Sequence, residues 1–193
     1  MRQPLFGDYT FELAEASAFK IFFEESRPVV FENKVSFHLH DALTKTEHEN
    51  LTRLGSRMGE PYRLQLFINK GDERIGWFTG VQHDRETFYM MNTGIFKLHQ
   101  GKGIYTSLLP KMLSLLQAEG FQKVTSRHNA TNNQILVPKL KVGFIISGIE
   151  INDVFGLMVH LTYFFNETRR QVMDFRTGQN VPDDDLKKLL NLT

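Results

Sequence analysis

Two glycines in a short loop give this chain its clearest chemical pattern. Residues 99–105 read His-Gln-Gly-Lys-Gly-Ile-Tyr and stand between a strand-like run and a strongly amphipathic helix. Glycine lets the backbone approach a ligand closely, and the first N–H groups of a helix point toward whatever precedes it, with the helix dipole behind them. The pattern therefore predicts that this loop holds a phosphate group.

Two common phosphate-binding patterns do not fit the loop. The dinucleotide fingerprint G-x-G-x-x-G needs a third glycine at the position of Thr106. A Walker loop needs a glycine five residues before Gly101 and a Ser or Thr after Lys102, but Phe96 and Gly103 occupy those places. The phosphate group is thus expected to belong to another kind of ligand.

The remaining pattern, Gln100-x-x-Gly103, resembles the Q/R-x-x-G-x-G/A loop of the GCN5-related N-acetyltransferase (GNAT) family. In that family the loop cradles the pyrophosphate of acetyl-CoA. A second motif follows in the family's order, with Asn132 near the start of the next helix and Val-Gly-Phe at residues 142–144. The resemblance covers roughly residues 62–165.

The resemblance implies acetyl-CoA as co-substrate and indicates which residues would bind it. Backbone amides of the loop would hold the pyrophosphate, and Lys102 could offset part of its charge. The strand before the loop would pair its backbone around residues 95–97 with the pantetheine arm, and one N–H would polarise the acetyl carbonyl. The implied cofactor-binding residues are Ile95, Phe96, Lys97, Gln100, Gly101, Lys102, Gly103, Ile104, Tyr105 and Asn132.

Three positions depart from the family's pattern. Tyr105 replaces the usual second small residue of the loop, so its side chain must point away from the pyrophosphate. Lys139 stands where many members have a tyrosine proposed to protonate the leaving thiolate, and Arg127 stands where some have a basic glutamate. Neither role carries over. An ammonium of ordinary pKa is a weak proton donor at neutral pH, so Lys139 is not expected to act as the general acid.

Direct transfer of an acetyl group needs a neutral amine, because a protonated amine has no lone pair with which to attack. The titratable side chains expected nearest the cleft are His128, His99 and Tyr105. We therefore predict His128 and Tyr105 as the catalytic residues. His38 and His40 lie two residues apart, but no suitably spaced carboxylate accompanies them, so no metal site is predicted.

These observations favour an N-acetyltransferase that moves the acetyl group of acetyl-CoA to a primary amine of a small molecule or peptide by direct attack. The acceptor itself is not specified by the sequence. The alternative is a non-catalytic acyl-CoA-binding or interaction module of the same fold, which the changes at Lys139 and Arg127 favour.

Composition narrows the class of protein further. The chain has 193 residues, no cysteine and a net charge of +1, so a disulfide framework and a cysteine nucleophile are excluded. No run of Lys or Arg suggests nucleic-acid binding, and no stretch approaches the roughly 20 apolar residues that span a bilayer. We expect a cytoplasmic protein that binds no nucleic acid or membrane, and a homodimer is left open.

Periodicity predicts the elements that position these residues. A helix over residues 12–26 should end at Pro28, and Thr44-x-x-Glu47 has the form of a capping box that begins another helix. Further helices are predicted from Ile104 to Gly120, over residues 132–142, and in the tail after Pro182. Strands are predicted at residues 35–39, 62–68, 75–81, 88–96, 121–127, 144–151 and 156–165.

The expected fold is α/β (α+β), with a mixed, mostly antiparallel sheet of about six to seven strands flanked by helices. The GNAT resemblance implies that the sheet splays between its fourth and fifth strands, here residues 88–96 and 121–127. We expect a single domain, with residues 1–60 as a variable N-terminal cover, residues 62–165 as the core and residues 166–193 as a tail helix.

Overall fold

The computed structural model describes residues 1–31 and 39–192. Within these ranges the helices are α1 (Ala16–Val30), α2 (Leu39–Ala42), α3 (Lys45–Gly55), α4 (Ile104–Ala118), α5 (Asn133–Val142), α6 (Glu167–Arg176) and α7 (Asp184–Leu189). The strands are β1 (Gln3–Phe6), β2 (Tyr9–Leu13), β3 (Arg63–Lys70), β4 (Glu73–Gln82), β5 (Thr87–Ile95), β6 (Lys123–Asn129), β7 (Ile145–Asn152) and β8 (Gly156–Phe164).

All these strands form one sheet in the order β1-β2-β3-β4-β5-β6-β8-β7. Neighbouring strands are antiparallel except β5 and β6, which run parallel and are joined through α4. The predicted class, a mixed and mostly antiparallel sheet flanked by helices, is confirmed. The described sheet has eight strands, where six or seven were expected.

An N-terminal hairpin accounts for the additional strands. In β2 the side chains of Tyr9 and Phe11 are buried, and Phe11 lies opposite Ile68 of β3. Two alternating aromatic residues are too short a pattern to separate strand from helix, which is why the sequence predicts a helix from residue 12. That helix, α1, begins only at Ala16, after the carboxylate of Glu15 has capped its first turn.

Helix α1 continues through Pro28 to Val30, whereas the sequence predicts a stop at the proline. Pro28 lacks the N–H that would bond to the preceding turn, but the chain is already near the helix end and α1 is held by packing. Phe19 and its aromatic neighbours on α1 contact Trp77 and Phe67 of the sheet. Tertiary packing thus overrides the local signal.

Helix α6 is not among the helices predicted from periodicity; most of its residues are polar or charged, and none is buried. Its first turn is capped by Asn166, whose side chain accepts a hydrogen bond from the N–H of Arg169. The helix predicted after Pro182 is confirmed as α7, capped by Asp183 and anchored by the buried Leu186. Among the described helices, none is both long and apolar enough to cross a bilayer.

Two predictions fall largely on residues that the structure does not describe. Of the strand expected at residues 35–39, only Leu39 is described, and it begins α2. The side chains of the His38 and His40 pair also lie outside the described part of the chain. The capping box ahead of α3 is confirmed, since Thr44 and Glu47 each bond to the other's backbone N–H.

The parallel pairing of β5 with β6 is short. It joins only Thr87 to Tyr89 of β5 with Lys123 to Thr125 of β6. Beyond Tyr89 the two strands diverge, while β5 stays paired with β4 as far as Ile95. The expected splay of the sheet therefore lies between these two strands, and it opens a gap directly in front of α4.

Gly94 of β5 leaves room for the ring of Trp77, which lies opposite it on β4 and is fully buried. A Cβ atom at position 94 would overlap that ring. Gly94→Ala should therefore lower the free energy of unfolding by about 1–3 kcal/mol, the usual cost of overpacking, as measured by urea denaturation. Gly148→Ala is the matched control, because the nearest atom to its added methyl lies 3.8 Å away. Equal losses in the two variants would contradict this account.

Candidate active site

A cavity of about 630 Å³ opens where β5 and β6 diverge. Its walls come from the splayed half of β5, the loop before α4, the first turn of α4, the end of β6 and one face of α5. None of the described residues that line it is acidic. Seven of the ten predicted cofactor residues line this cavity: Ile95, Gln100, Gly101, Gly103, Ile104, Tyr105 and Asn132.

The loop before α4 has the backbone that an anion site needs. Gly101 and Gly103 have φ angles of 74° and 82°, a region that side chains other than glycine rarely adopt. Gly103 is the residue that precedes the helix, and it has no side chain to cap the first turn. The N–H groups at the start of α4 are therefore left for an acceptor outside the helix.

Gln100 fixes the loop to the strand before it. Its side-chain Nε2 donates a hydrogen bond of 2.8 Å to the carbonyl oxygen of Ile95. That bond also shows that the carbonyl of Ile95 points away from β4 and toward the gap. The glutamine side chain thus positions the loop, and the backbone amides remain the groups that face the cavity.

Beyond Tyr89, alternate backbone N–H and C=O groups of β5 face the gap and are not bonded to β6. The N–H of Phe96 donates to the carbonyl of Ile75 on β4 at 2.9 Å, so this group is already used within the sheet. Because N–H groups alternate in direction along a strand, those of Ile95 and Thr93 face the gap. Lys97 lies in a short 3₁₀ turn, and it and Lys102 are exposed and outside the cavity lining.

His128 lies in the cavity wall near the end of β6. Its Nε2 is 3.0 Å from the hydroxyl oxygen of Ser126, which is on the same face of the strand two residues earlier. The same hydroxyl oxygen accepts a hydrogen bond of 2.6 Å from the Nζ of Lys139 on α5. One hydroxyl thus joins an imidazole to a primary amine inside the site.

Lys139 is only 1% exposed. Besides Ser126, its Nζ lies 3.4 Å from the sulfur of Met90 and 4.8 Å from the ring centroid of Phe144. Burial in this apolar setting lowers the pKa of Lys139 from 10.5 to about 7. The sequence-based premise that Lys139 is an ammonium of ordinary pKa is therefore wrong. It did not take into account that α5 buries this side chain.

A signal for that burial exists in the sequence. Lys139 lies three residues after the buried Leu136, so both fall on the inward face of α5. Ser126, by contrast, carries no signal of its own, since a serine inside a strand is unremarkable without its partners. Sequence reasoning named His128 and Lys139 separately and missed Ser126, the residue that connects them.

The other two titratable candidates have different surroundings. Tyr105 lines the cavity and packs against the core, and burial raises the pKa of its phenol. His99 also lines the cavity but is buried, with its Nδ1 3.3 Å from the hydroxyl of Tyr9 on β2. That contact gives His99 a structural partner at the edge of the site.

Arg127 lies on the opposite face of β6 and does not line the cavity. Its guanidinium bonds to the hydroxyl of Tyr89 and to Glu150 of β7. Glu150 also accepts hydrogen bonds from Asn152 and His160, and together these bonds lower the pKa of the Glu150 carboxyl to about 2. Arg127, at the position where some GNAT members have a glutamate, thus forms an ion pair with Glu150 on the other side of the sheet.

No protein-family model matches the chain, and no curated protein is detectably similar to it in sequence. Solved structures are similar in fold. A GNAT acetyltransferase from Elizabethkingia anophelis with acetyl-CoA bound has a TM-score of 0.58 at 16% identity, over 82% of this chain and 99% of its own.

Two further structures have the same fold. A ribosomal-protein-S5-alanine acetyltransferase from Vibrio fischeri has a TM-score of 0.60 at 14% identity, over 86% of this chain and 98% of its own. A dodecameric spermidine N-acetyltransferase from Vibrio cholerae has a TM-score of 0.57 at 12% identity, over 81% and 94%. The chain therefore has the GNAT fold that its loop and helix motifs indicated.

Proposed function

We propose that this protein is an acetyl-CoA-dependent N-acetyltransferase. The observation that carries the proposal is the convergence on one cavity of a glycine loop at a helix N-terminus and the free edge of a splayed strand. The first feature suits a pyrophosphate and the second suits an extended amide-containing arm. CoA has both parts joined end to end. Structures of this fold with acetyl-CoA bound support the same ligand.

The pyrophosphate would be held by the N–H groups that follow Gly101 and Gly103. The pantetheine arm would run along β5 and accept hydrogen bonds from the N–H groups of Thr93 and Ile95. Phe96 follows β5 directly, and its N–H is already bonded to Ile75 and so is not free for the arm. An N–H aimed at the acetyl oxygen would stabilise the negative charge that develops there, which is commonly the largest catalytic contribution in such reactions.

Transfer would occur by direct attack. The nitrogen of a primary amine would attack the acetyl carbonyl carbon, the carbon–sulfur bond would break, and CoA would leave as the thiol. The chain has no cysteine to carry an acetyl-enzyme intermediate. The cavity contains no acidic side chain among its described residues to bind a second ammonium group, so an acceptor with one amine, either a small molecule or a peptide terminus, fits it best.

Two measurements test this function. Titration with CoA should raise the thermal unfolding midpoint, since a ligand that binds only the folded state stabilises it by mass action. A panel of amines assayed for thiol release from acetyl-CoA should identify an acceptor. No shift at millimolar CoA would reject the cofactor. A clear shift without turnover on any amine would instead support the non-catalytic acyl-CoA-binding module that the changes at Arg127 and Lys139 favour.

His128→Ala should reduce turnover by about a hundredfold, the usual scale for a positioned base. The reason is that His128 lies in the cavity wall beside the splayed strand and imidazole titrates near working pH. The acidic limb of the pH profile should flatten as well. His160→Ala is the matched control, because this histidine lies outside the cavity, paired with Glu150. Equal effects of the two substitutions would remove His128 from the mechanism.

A further inference from the structure

Among the described residues, no carboxylate pairs with the buried amine of Lys139. Nζ donates to the hydroxyl of Ser126, and in the described part of the chain its other contacts are a thioether and an aromatic ring. A lysine is rarely buried unless it is paired with a carboxylate. A methionine or leucine would fill this place without the desolvation penalty. The presence of an amine here therefore indicates a chemical role and not a packing role.

The contacts of Ser126 supply one. A serine hydroxyl has one proton and two lone pairs, so it can accept from one neighbour while it donates to the other. Here it lies between Lys139 Nζ at 2.6 Å and His128 Nε2 at 3.0 Å. The three groups therefore form an unbroken chain of hydrogen bonds from His128 to the buried amine of Lys139, in which the bond direction can reverse.

We propose that His128, Ser126 and Lys139 form a proton relay, in which the buried amine of Lys139 takes up, through the Ser126 hydroxyl, the proton that His128 receives from the acceptor amine. This relay rests on the proposed acetyltransferase function. It makes Lys139 and Ser126 positioning residues that act through His128.

The protons balance over one turnover. As the amine nitrogen bonds to the acetyl carbon, it loses one proton to His128. His128 passes its Nε2 proton to the oxygen of Ser126, and the hydroxyl proton of Ser126 moves to the lone pair of neutral Lys139. When the carbon–sulfur bond breaks, the transfers run in reverse and the proton reaches the thiolate. The products are the acetylated amine and the thiol form of CoA.

The relay needs Lys139 to be neutral at rest, and its surroundings provide that state above about pH 7. Burial lowers the pKa of Lys139 to about 7. The titratable groups that face the same cavity are His128 from β6, Tyr105 from α4 and His99 from the turn before it, and none of the described lining residues is a carboxylate that would hold the ammonium form. His128 and Lys139 share one hydroxyl, so their titrations are expected to be coupled.

The test follows the imidazole of His128 by NMR during a pH titration of the unliganded protein. Lys139→Met should raise the pKa of His128 by about one unit or more. Below about pH 7, where an ordinary imidazole titrates, Lys139 is protonated, and the variant lacks that neighbouring positive charge. Ser126→Ala should also shift it, because the connecting hydroxyl is lost. Lys141→Met, an exposed lysine on the same helix, is the control and should leave His128 unchanged.

The second arm measures turnover with acetyl-CoA and the fastest amine of the panel. Lys139→Met and Ser126→Ala should each slow turnover by about tenfold to a hundredfold and move the pH profile. The double variant should be no slower than either single variant, because both break the same chain. CoA-induced thermal stabilisation should be retained in every variant.

The two arms separate failure of the relay from failure of the function. If no amine is acetylated by the wild-type protein, the enzyme proposal fails, yet the NMR titration still decides whether the three groups are coupled. An unchanged His128 titration in both Lys139→Met and Ser126→Ala overturns the relay. Additive losses of turnover with an unmoved pH profile overturn it as well, because they indicate purely structural roles.

Discussion

Replacing Gly103 by aspartate is expected to weaken CoA binding by about a thousandfold. The residue precedes α4 at the point where the free N–H groups face the cavity. A carboxylate about 4 Å from a phosphate oxygen would repel the bound phosphate by ~4 kcal/mol at an effective dielectric of 20. This energy corresponds to about three powers of ten in CoA affinity. Folding should survive, because aspartate tolerates the φ of 82° at this position better than most residues.

Two control variants separate the charge from other effects. Gly103→Asn has nearly the same shape as the aspartate variant and no charge, so it should lose much less affinity. Gly120→Asp places the same charge after the far end of α4, at a φ of 94°, and should bind CoA as the wild type does. Isothermal titration with CoA measures all three. Binding by Gly103→Asp within about threefold of wild type would show that the pyrophosphate lies elsewhere.

The glycine loop could be predicted from the sequence because its requirements are local. A backbone that must turn with positive φ and approach an anion needs glycine at fixed positions, and Gly101 and Gly103 provide it. The elements around the loop could also be predicted, since α4 and the strands β3 to β5 have long and regular apolar patterns. Local sequence is therefore sufficient to predict the loop, the helix α4 that follows it and the strands β3 to β5.

The interior of the site could not be predicted in the same way. The hydrogen bonds between His128, Ser126 and Lys139 join β6 to α5, and they depend on the rotation of one helix against the sheet. A shift of one residue in β6 would turn His128 to the other face, where Arg127 lies now. Such contacts are set by tertiary packing, and residue types alone do not report them.

The N-terminal hairpin shows the same limit on a larger scale. Strand β2 has only five residues, and its pairing partner β3 begins about 50 residues later. Burial of Tyr9 and Phe11 against the core decides the strand conformation, whereas the local pattern near residue 12 favours helix. Where local preference is weak, the long-range contact prevails, as it does for α1 at Pro28.

Lys139→Met is expected to make the protein more stable by about 5 kcal/mol below pH 7. The pKa of Lys139 is about 7 in the fold and 10.5 ordinarily, and each unit of difference corresponds to about 1.4 kcal/mol. Below pH 7 the folded protein must hold a buried ammonium, so the wild type bears the whole penalty. Between about pH 7 and 10.5 the unfolded chain binds the proton and the folded protein does not, so wild-type stability rises with pH.

The difference in unfolding free energy between Lys139→Met and wild type should therefore be largest near pH 6 and shrink toward pH 10, as measured by urea denaturation at several pH values. Lys141→Met, which changes an exposed lysine on the same helix, should show no such trend. A methionine variant that is less stable than wild type at every pH would mean that the Ser126 contact outweighs the desolvation of the amine. A large gain in stability joined to a loss of turnover would instead assign the buried amine to catalysis, because the fold is then better without it.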